Sequence, residues 1–211
     1  MEFINLGISM VKMRGKAVTV VCDPYSPSPA GLKYQAIDSH LVTQSSDDED
    51  HNSKDKLLGN PVFVQGPGEY EVKGVRVIGL RTDTNAKPNT IYHLVIDGIN
   101  ILHCGLLNRK LDEKEIDDLG GVDVLIVPVG ALDTLNPHDV VELITKLEPS
   151  IVIPTYYHQA HLNEKRYGKL QDLSLFLKEI GKPDVAPQSK FSITKDKMPE
   201  EMQIVVLSTA S

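Results

Sequence analysis

Residues 59–82 read GNPVFVQGPGEYEVKGVRVIGLRT. Three short runs, PVFVQ, GEYEV and GVRVIGL, alternate apolar with polar side chains, the pattern of strands that each bury one face. Gly-Pro-Gly separates the first two and Lys73-Gly74 the next pair, which predicts consecutive strands joined by tight turns. The same glycines make no phosphate cradle, because no helix start follows them. Downstream, TIYHLVI and INILHCG flank Asp97-Gly98, the strongest local hairpin signal in the chain. Upstream, EFINL, SMVKM and KAVTVVCD are further strand-like runs, with Arg14-Gly15 as the turn between the last two.

The second half changes period. LDEKEIDDLGG predicts a short helix closed by glycine, and VDVLIVPVG a buried strand. NPHDVVELITKLEP opens with an Asn cap and a first-position Pro, and predicts a helix burying Val140, Val141, Ile144 and Leu147. SIVIPTYY predicts a buried strand, LQDLSLFLKEIG a helix ending at Gly181, and KFSIT and MQIVVLS the last strands. Strands first, then strand and helix in alternation, imply sheets covered by helices in one layered domain spanning residues 1–211.

Composition narrows the function classes. The chain is 41% hydrophobic and 24% charged, as a globular domain with a real core should be. Its net charge of -7 offers no global basic field for a phosphate backbone, so nucleic acid is not an expected partner. Cys22 and Cys104 stand far apart, which suits a reducing cytoplasm better than a disulfide scaffold. No apolar stretch reaches about 18 residues, and the first residues lack the pattern of a signal peptide, so neither membrane insertion nor export is expected.

One long connection, residues 23–56, is rich in Pro, Ser and Asp. Its apolar beat AIDSHLVT predicts a short strand that delivers the chain to SSDDEDHN, residues 45–52. A connection of this length inside a compact domain is commonly functional. Taken in order, VTVVCDPYSPS, SSDDEDHN, GNPVFVQGPGEYEVKGVRVIGLRT, NTIYHLVIDGINILHCG, VDVLIVPVG and LEPSIVIPTYY resemble the metallo-β-lactamase superfamily, in its small bacterial branch of zinc-dependent hydrolases. The resemblance runs from about Phe3 to QIVVLS. It implies an αββα sandwich, two facing sheets with helices outside, and a metal site at one edge between the sheets.

The family loop carries His-x-His-x-Asp-His, and zinc needs such nitrogen and carboxylate donors converging on it. By the resemblance, the first two imidazoles fall on Ser46 and Asp48, and the Asp-His pair on Asp50 and His51. The next His falls near Thr84, with Asp83 as the neighbouring candidate. The bridging Asp falls on Leu106 and the last His on Tyr156. Only Asp50 and His51 keep the family residue. A dinuclear zinc centre is therefore not expected, and the chain is expected to need no cofactor.

The residues leave two readings open. Asp47, Asp48, Glu49 and Asp50 are ordinarily a solvated, self-repelling loop. Alternatively Asp48, Asp50 and His51 offer oxygen with one nitrogen, a set suited to Mg²⁺, Mn²⁺ or Ca²⁺, although the spacing is not that of an EF-hand. His103 and Cys104 are adjacent on a strand and point to opposite faces, so they form no nucleophile–base pair; a buried thiol and a partly buried ring are expected. His158 and His161 sit in a loop and are expected to be ordinary, as are His40, His93 and His138. No catalytic constellation is visible. The leading expectation is a non-catalytic relative that binds a small molecule or a protein partner, an active relative or another copy of the chain among them. The alternative is a hydrolase with a site remodelled on Asp48, Asp50 and His51.

Overall fold

The computed structural model describes residues 1–48, 51–82 and 88–210. Its strands are β1 (Glu2–Gly7), β2 (Met10–Arg14), β3 (Thr19–Cys22), β4 (Ile37–Asp38), β5 (Leu41–Gln44), β6 (Leu57–Leu58), β7 (Val62–Gln65), β8 (Gly68–Val72), β9 (Val75–Arg81), β10 (Thr90–Ile96), β11 (Ile99–His103), β12 (Val124–Pro128), β13 (Ile151–Thr155), β14 (Phe191–Ser192) and β15 (Gln203–Ile204). The helices are α1 (Pro27–Ala30), α2 (Glu113–Leu119), α3 (Pro137–Leu147), α4 (Glu164–Tyr167) and α5 (Leu173–Glu179). One sheet runs β14-β1-β2-β3-β5-β7, a second β15-β13-β12-β11-β10-β9-β8, and β4 pairs with β6 apart from both.

Alternation builds the core. Phe3, Val11, Met13, Val20 and Leu41 of the first sheet meet Val77, Leu94, Ile101, Ile126 and Ile153 of the second in one buried cluster. Residues of opposite parity on the second sheet, Leu102, Leu125, Val127 and Val152, pack under α3 and α5. The expected αββα layering is present, with its helices unevenly shared: α2, α3 and α5 cover the second sheet, while short α1 and α4 and the aromatic loop residues Tyr25 and Tyr34 cover part of the first.

Local signals act where expected. Asp97 and Gly98 both take positive φ, 52° and 78°, and Ile96 faces Ile99 across β10 and β11, as a two-residue hairpin of the primed type requires. Asn136 caps α3 by accepting from the Asp139 amide, with Pro137 at the first turn. The buried face of α3 is Val140, Leu143, Ile144 and Leu147. Leu143 takes the place expected for Val141, which packs only at the margin, because the spacing i, i+3, i+4, i+7 centres the stripe on Leu143. AIDSHLVT is likewise not one strand. Ile37 and Ser39 bond back to residues 56 and 58, so β4 joins β6, whereas β5 runs parallel between β3 and β7.

Removing bulk from the inter-sheet core should be costly. Ile101→Ala, at a fully buried position, is expected to lower the urea-derived stability by about 2–5 kcal/mol. Leu175→Ala, at a residue 46% exposed, should stay within about 0.5 kcal/mol. Equal losses would mean that the two sheets do not share the core described.

Candidate functional site

β3 is followed directly by Asp23, which turns away from the strand with φ 48° and is fully buried. Its amide donates to the carbonyl of Thr43 in the parallel neighbour β5. Its carboxylate accepts twice from Ser45, from the backbone amide at Oδ1 and from the hydroxyl at Oδ2, each at 2.7 Å. A buried carboxylate needs such donors. Here they hold the first residue of the acidic loop against the end of β3.

Two imidazoles flank that carboxylate. His51 Nε2 and His103 Nδ1 each lie 3.9 Å from Asp23 Oδ2. His103 Nε2 is 3.0 Å from the carbonyl of Ser9, which can only accept, so the proton of the neutral ring is assigned to Nε2. Burial holds His103 below the ordinary imidazole value, against the opposing pull of Asp23. His51 is 1% exposed, and neither of its ring nitrogens has a hydrogen-bond partner among the described residues. Its ring leans on Tyr156 at a centroid distance of 6.2 Å.

The second sheet closes the site. Thr90 donates its amide to the carbonyl of Ser45, and Asn89 accepts from the Leu106 amide at 2.9 Å while donating to Thr82 and to the carbonyl of Cys104. Gly105 between them has φ +54°, and a Cβ there would sit 2.3 Å from the Cβ of Ser45. Only glycine lets the backbone pass so close. Leu106 and Tyr156 then belong to one apolar cluster with Ile8, Met10 and Leu162.

Of the sequence-expected residues, the structure brings together His51 and Tyr156, and places Leu106 in the cluster that holds Tyr156. Asp48 takes another direction. It is exposed, and Oδ1 accepts from Arg166 of α4 at 3.0 Å. Asp50, Asp83 and Thr84 lie outside the described residues. Among the described residues, no group of three or more His, Cys, Asp or Glu side chains is placed to hold a metal ion. His103 and Cys104 do face opposite ways, with Cys104 under the helices and its thiol pushed far up by burial; His103, expected partly buried, is wholly buried. His158 pairs with Glu164 and Asp172 at the surface. His40 Nδ1 accepts from the Thr19 amide, and His138 meets Glu142 and Glu179 at the surface, as ordinary polar histidines do. Asp23, Ser45, Asn89 and His103 were not singled out as a site by the sequence; its one signal was an acid closing the apolar run VTVVC ahead of proline.

Fold and site together define a two-sheet α/β protein with a buried carboxylate–imidazole cluster at the strand ends. The β-lactamase superfamily domain matches residues 3–156, and the chain belongs to the metallo-β-lactamase superfamily. A UPF0173 metal-dependent hydrolase from Lysinibacillus sphaericus is 24% identical over 195 residues, 75% of this chain and 86% of that one. A UPF0173 protein from Pyrococcus abyssi is 23% identical over 180 residues, 74% of this chain and 83% of the relative. A metallo-β-lactamase superfamily structure from Thermotoga maritima superposes with a TM-score of 0.80 at 26% identity, covering 98% of this chain and 97% of that one. The metallo hydrolase Igni18 of Ignicoccus hospitalis gives 0.67 at 14% identity over 92% of this chain and 99% of its own, a likeness of fold.

The buried rings make stability depend on pH. His103 and His93 are both held below the ordinary imidazole value by burial, so the unfolded chain binds more protons than the folded one below about pH 6.5. Stability should therefore be full above that value and fall on acidification. His103→Gln, which keeps a donor for the Ser9 carbonyl, should flatten the fall between about pH 7 and pH 5 without abolishing it. An unchanged slope in the variant would show that His103 is not held neutral.

Proposed function

We propose that this protein is a metallo-β-lactamase-type domain whose dinuclear zinc centre has been dismantled, and that it works by binding rather than by hydrolysis. The observation that carries the reading is the apolar packing around Leu106 and Tyr156, the positions that the resemblance gives to the bridging carboxylate and the last imidazole. Leucine has no lone pair to offer. A tyrosine binds only after losing a proton from a value near about 10. Asp48 is occupied by Arg166, and Asp23 has both oxygens engaged by Ser45. The donors among the described residues do not fit a pair of zinc ions, and no chemical step is derived through them.

The reading leaves a small molecule or a protein partner as what is bound, with another copy of the chain or an active relative as concrete protein partners. Net charge argues against nucleic acid. No helix among the described residues is long and apolar enough to cross a membrane, and a cytoplasmic location is part of the proposal. A second reading, a metal-dependent hydrolase with a remodelled site, draws support from the metal-dependent hydrolases among its relatives and from the two buried nitrogens of His51 that have no hydrogen-bond partner among the described residues, since such atoms ordinarily find water or an ion.

Zinc content and metal linkage decide between them. Protein prepared without a polyhistidine tag is expected to carry no stoichiometric zinc by plasma mass spectrometry, and millimolar Mn²⁺ is expected to leave Tm unchanged. A Mn²⁺-dependent rise in Tm that disappears in His51→Ala would establish a remodelled metal site by linkage, and stoichiometric zinc would restore the family centre; either result sinks the binding-only reading.

A further inference from the structure

At the end of β2 and β3 away from Asp23, the first sheet turns an uncovered face outward. Phe3, Val11, Met13 and Val20 fill the core between the sheets, so residues of the other parity point away from it. Register then sets Ile4 and Val21 on either side of Lys12, and Glu2 and Thr19 on either side of Arg14. Residues 34–38 and Ala210 wall this face into a groove of about 460 Å³, a size that holds a small ligand.

The groove is apolar at its base and positive at one end. Ile4, Leu6 and Ile37 supply the apolar lining, and Lys12 and Arg14 the charge. Lys12 is half-buried between two aliphatic neighbours, and neither cation has an ion-pair or side-chain hydrogen-bond partner among the described residues. The nearby acids are directed elsewhere. Glu2, opposite Arg14, feels both groove cations at longer range, but its ion pair is with Lys190 at 2.9 Å, which neutralises it. Asp38, on the rim, lies against Gly59, where a Cβ would come within 2.1 Å of its Oδ1. Two cations against one rim carboxylate leave about one unit of positive charge, in a chain whose net charge is -7. The aliphatic stem of Lys12 lies between its neighbours while its ammonium stands at the groove, where a matching anion can pair with it and with Arg14.

We infer that this groove binds a small amphipathic monoanion of the alkyl or aryl carboxylate class. The carboxylate sits between Lys12 and Arg14, and the apolar body lies on Ile4, Leu6 and Ile37. The inference goes beyond the binding reading above and stands on its own geometry, because none of these residues belongs to the Asp23–His51–His103 cluster.

Decanoate, decanol and decyl phosphate are the probes for calorimetric titration. Decanoate should bind saturably, decanol weakly, and decyl phosphate no tighter than decanoate. The double variant Lys12→Gln/Arg14→Gln should weaken decanoate by at least about tenfold, leave decanol unaffected, and keep the parent Tm in the absence of ligand. In methyl NMR of the parent protein, decanoate should shift Ile4, Leu6 and Ile37 before other methyls, a readout that does not depend on the variant folding. Absence of decanoate binding, equal affinity in the double variant, tighter binding of decyl phosphate, or shifts centred on other methyls would each overturn the assignment. Every one of these outcomes is independent of the zinc content of the protein.

Discussion

The two hydrogen bonds from Ser45 to the Asp23 carboxylate are the constraint on which the rest of the site depends. They sit where the sheets meet. Asp23 follows β3, Ser45 follows β5, and the carbonyl of the same Ser45 accepts from Thr90 at the start of β10. Gly105, past the end of β11, passes so close to Ser45 that a Cβ there would collide with its side chain. Four strand ends from two sheets are thereby fixed around one serine. A carboxylate out of water is stable only if its acceptors are used, so the position of Asp23 and the path of the acidic loop determine one another.

Around that anchor the polar groups divide into satisfied and unsatisfied ones. Asp23 and Asn89 have their hydrogen bonds made by nearby amides and hydroxyls, and His103 has one made by Ser9. His51 has none among the described residues, although it is buried against Tyr156. The backbone around Asp23 is thus held by these bonds, while Leu106 and Tyr156 nearby pack in one apolar cluster. Asn89, by accepting from the Leu106 amide, keeps the loop after β11 in place.

Much of the fold was legible because its signals are local. Asp97-Gly98 needs positive φ at two successive residues, and Asn136-Pro137 sets a helix start within one turn. The alternation in β2 and β3 is read from adjacent residues. The site was far less legible. Asp23 and His103 are 80 positions apart in sequence, and an acid before proline looks like any turn until the parallel strand β5 brings Ser45 to it. The acidic run is the more conspicuous local feature, yet the structure turns Asp48 to Arg166, a partner 118 residues away. The division of AIDSHLVT into β4 and β5 was hidden for the same reason. Its strand partners, residues 57 and 58, lie in a segment with no periodicity of its own.

The uneven helical cover of the two sheets gives one strand two different environments. Along β2, Val11 and Met13 point into the shared core. The outward positions Met10, Lys12 and Arg14 pass from buried to half-buried to exposed. Met10 is covered by the loop aromatics and lies in the cluster of Leu106 and Tyr156; Arg14 reaches solvent beyond the end of that cover. A sheet face left without a helix must carry polar side chains or expose apolar ones. Lys12 stands at the boundary, with an aliphatic stem that can lie along Ile4 and Val21 and an ammonium that needs either water or an anion. The groove is thus placed by the same shortage of helix that leaves the first sheet dependent on loops, and its charge is set by the parity of a strand whose other face is core.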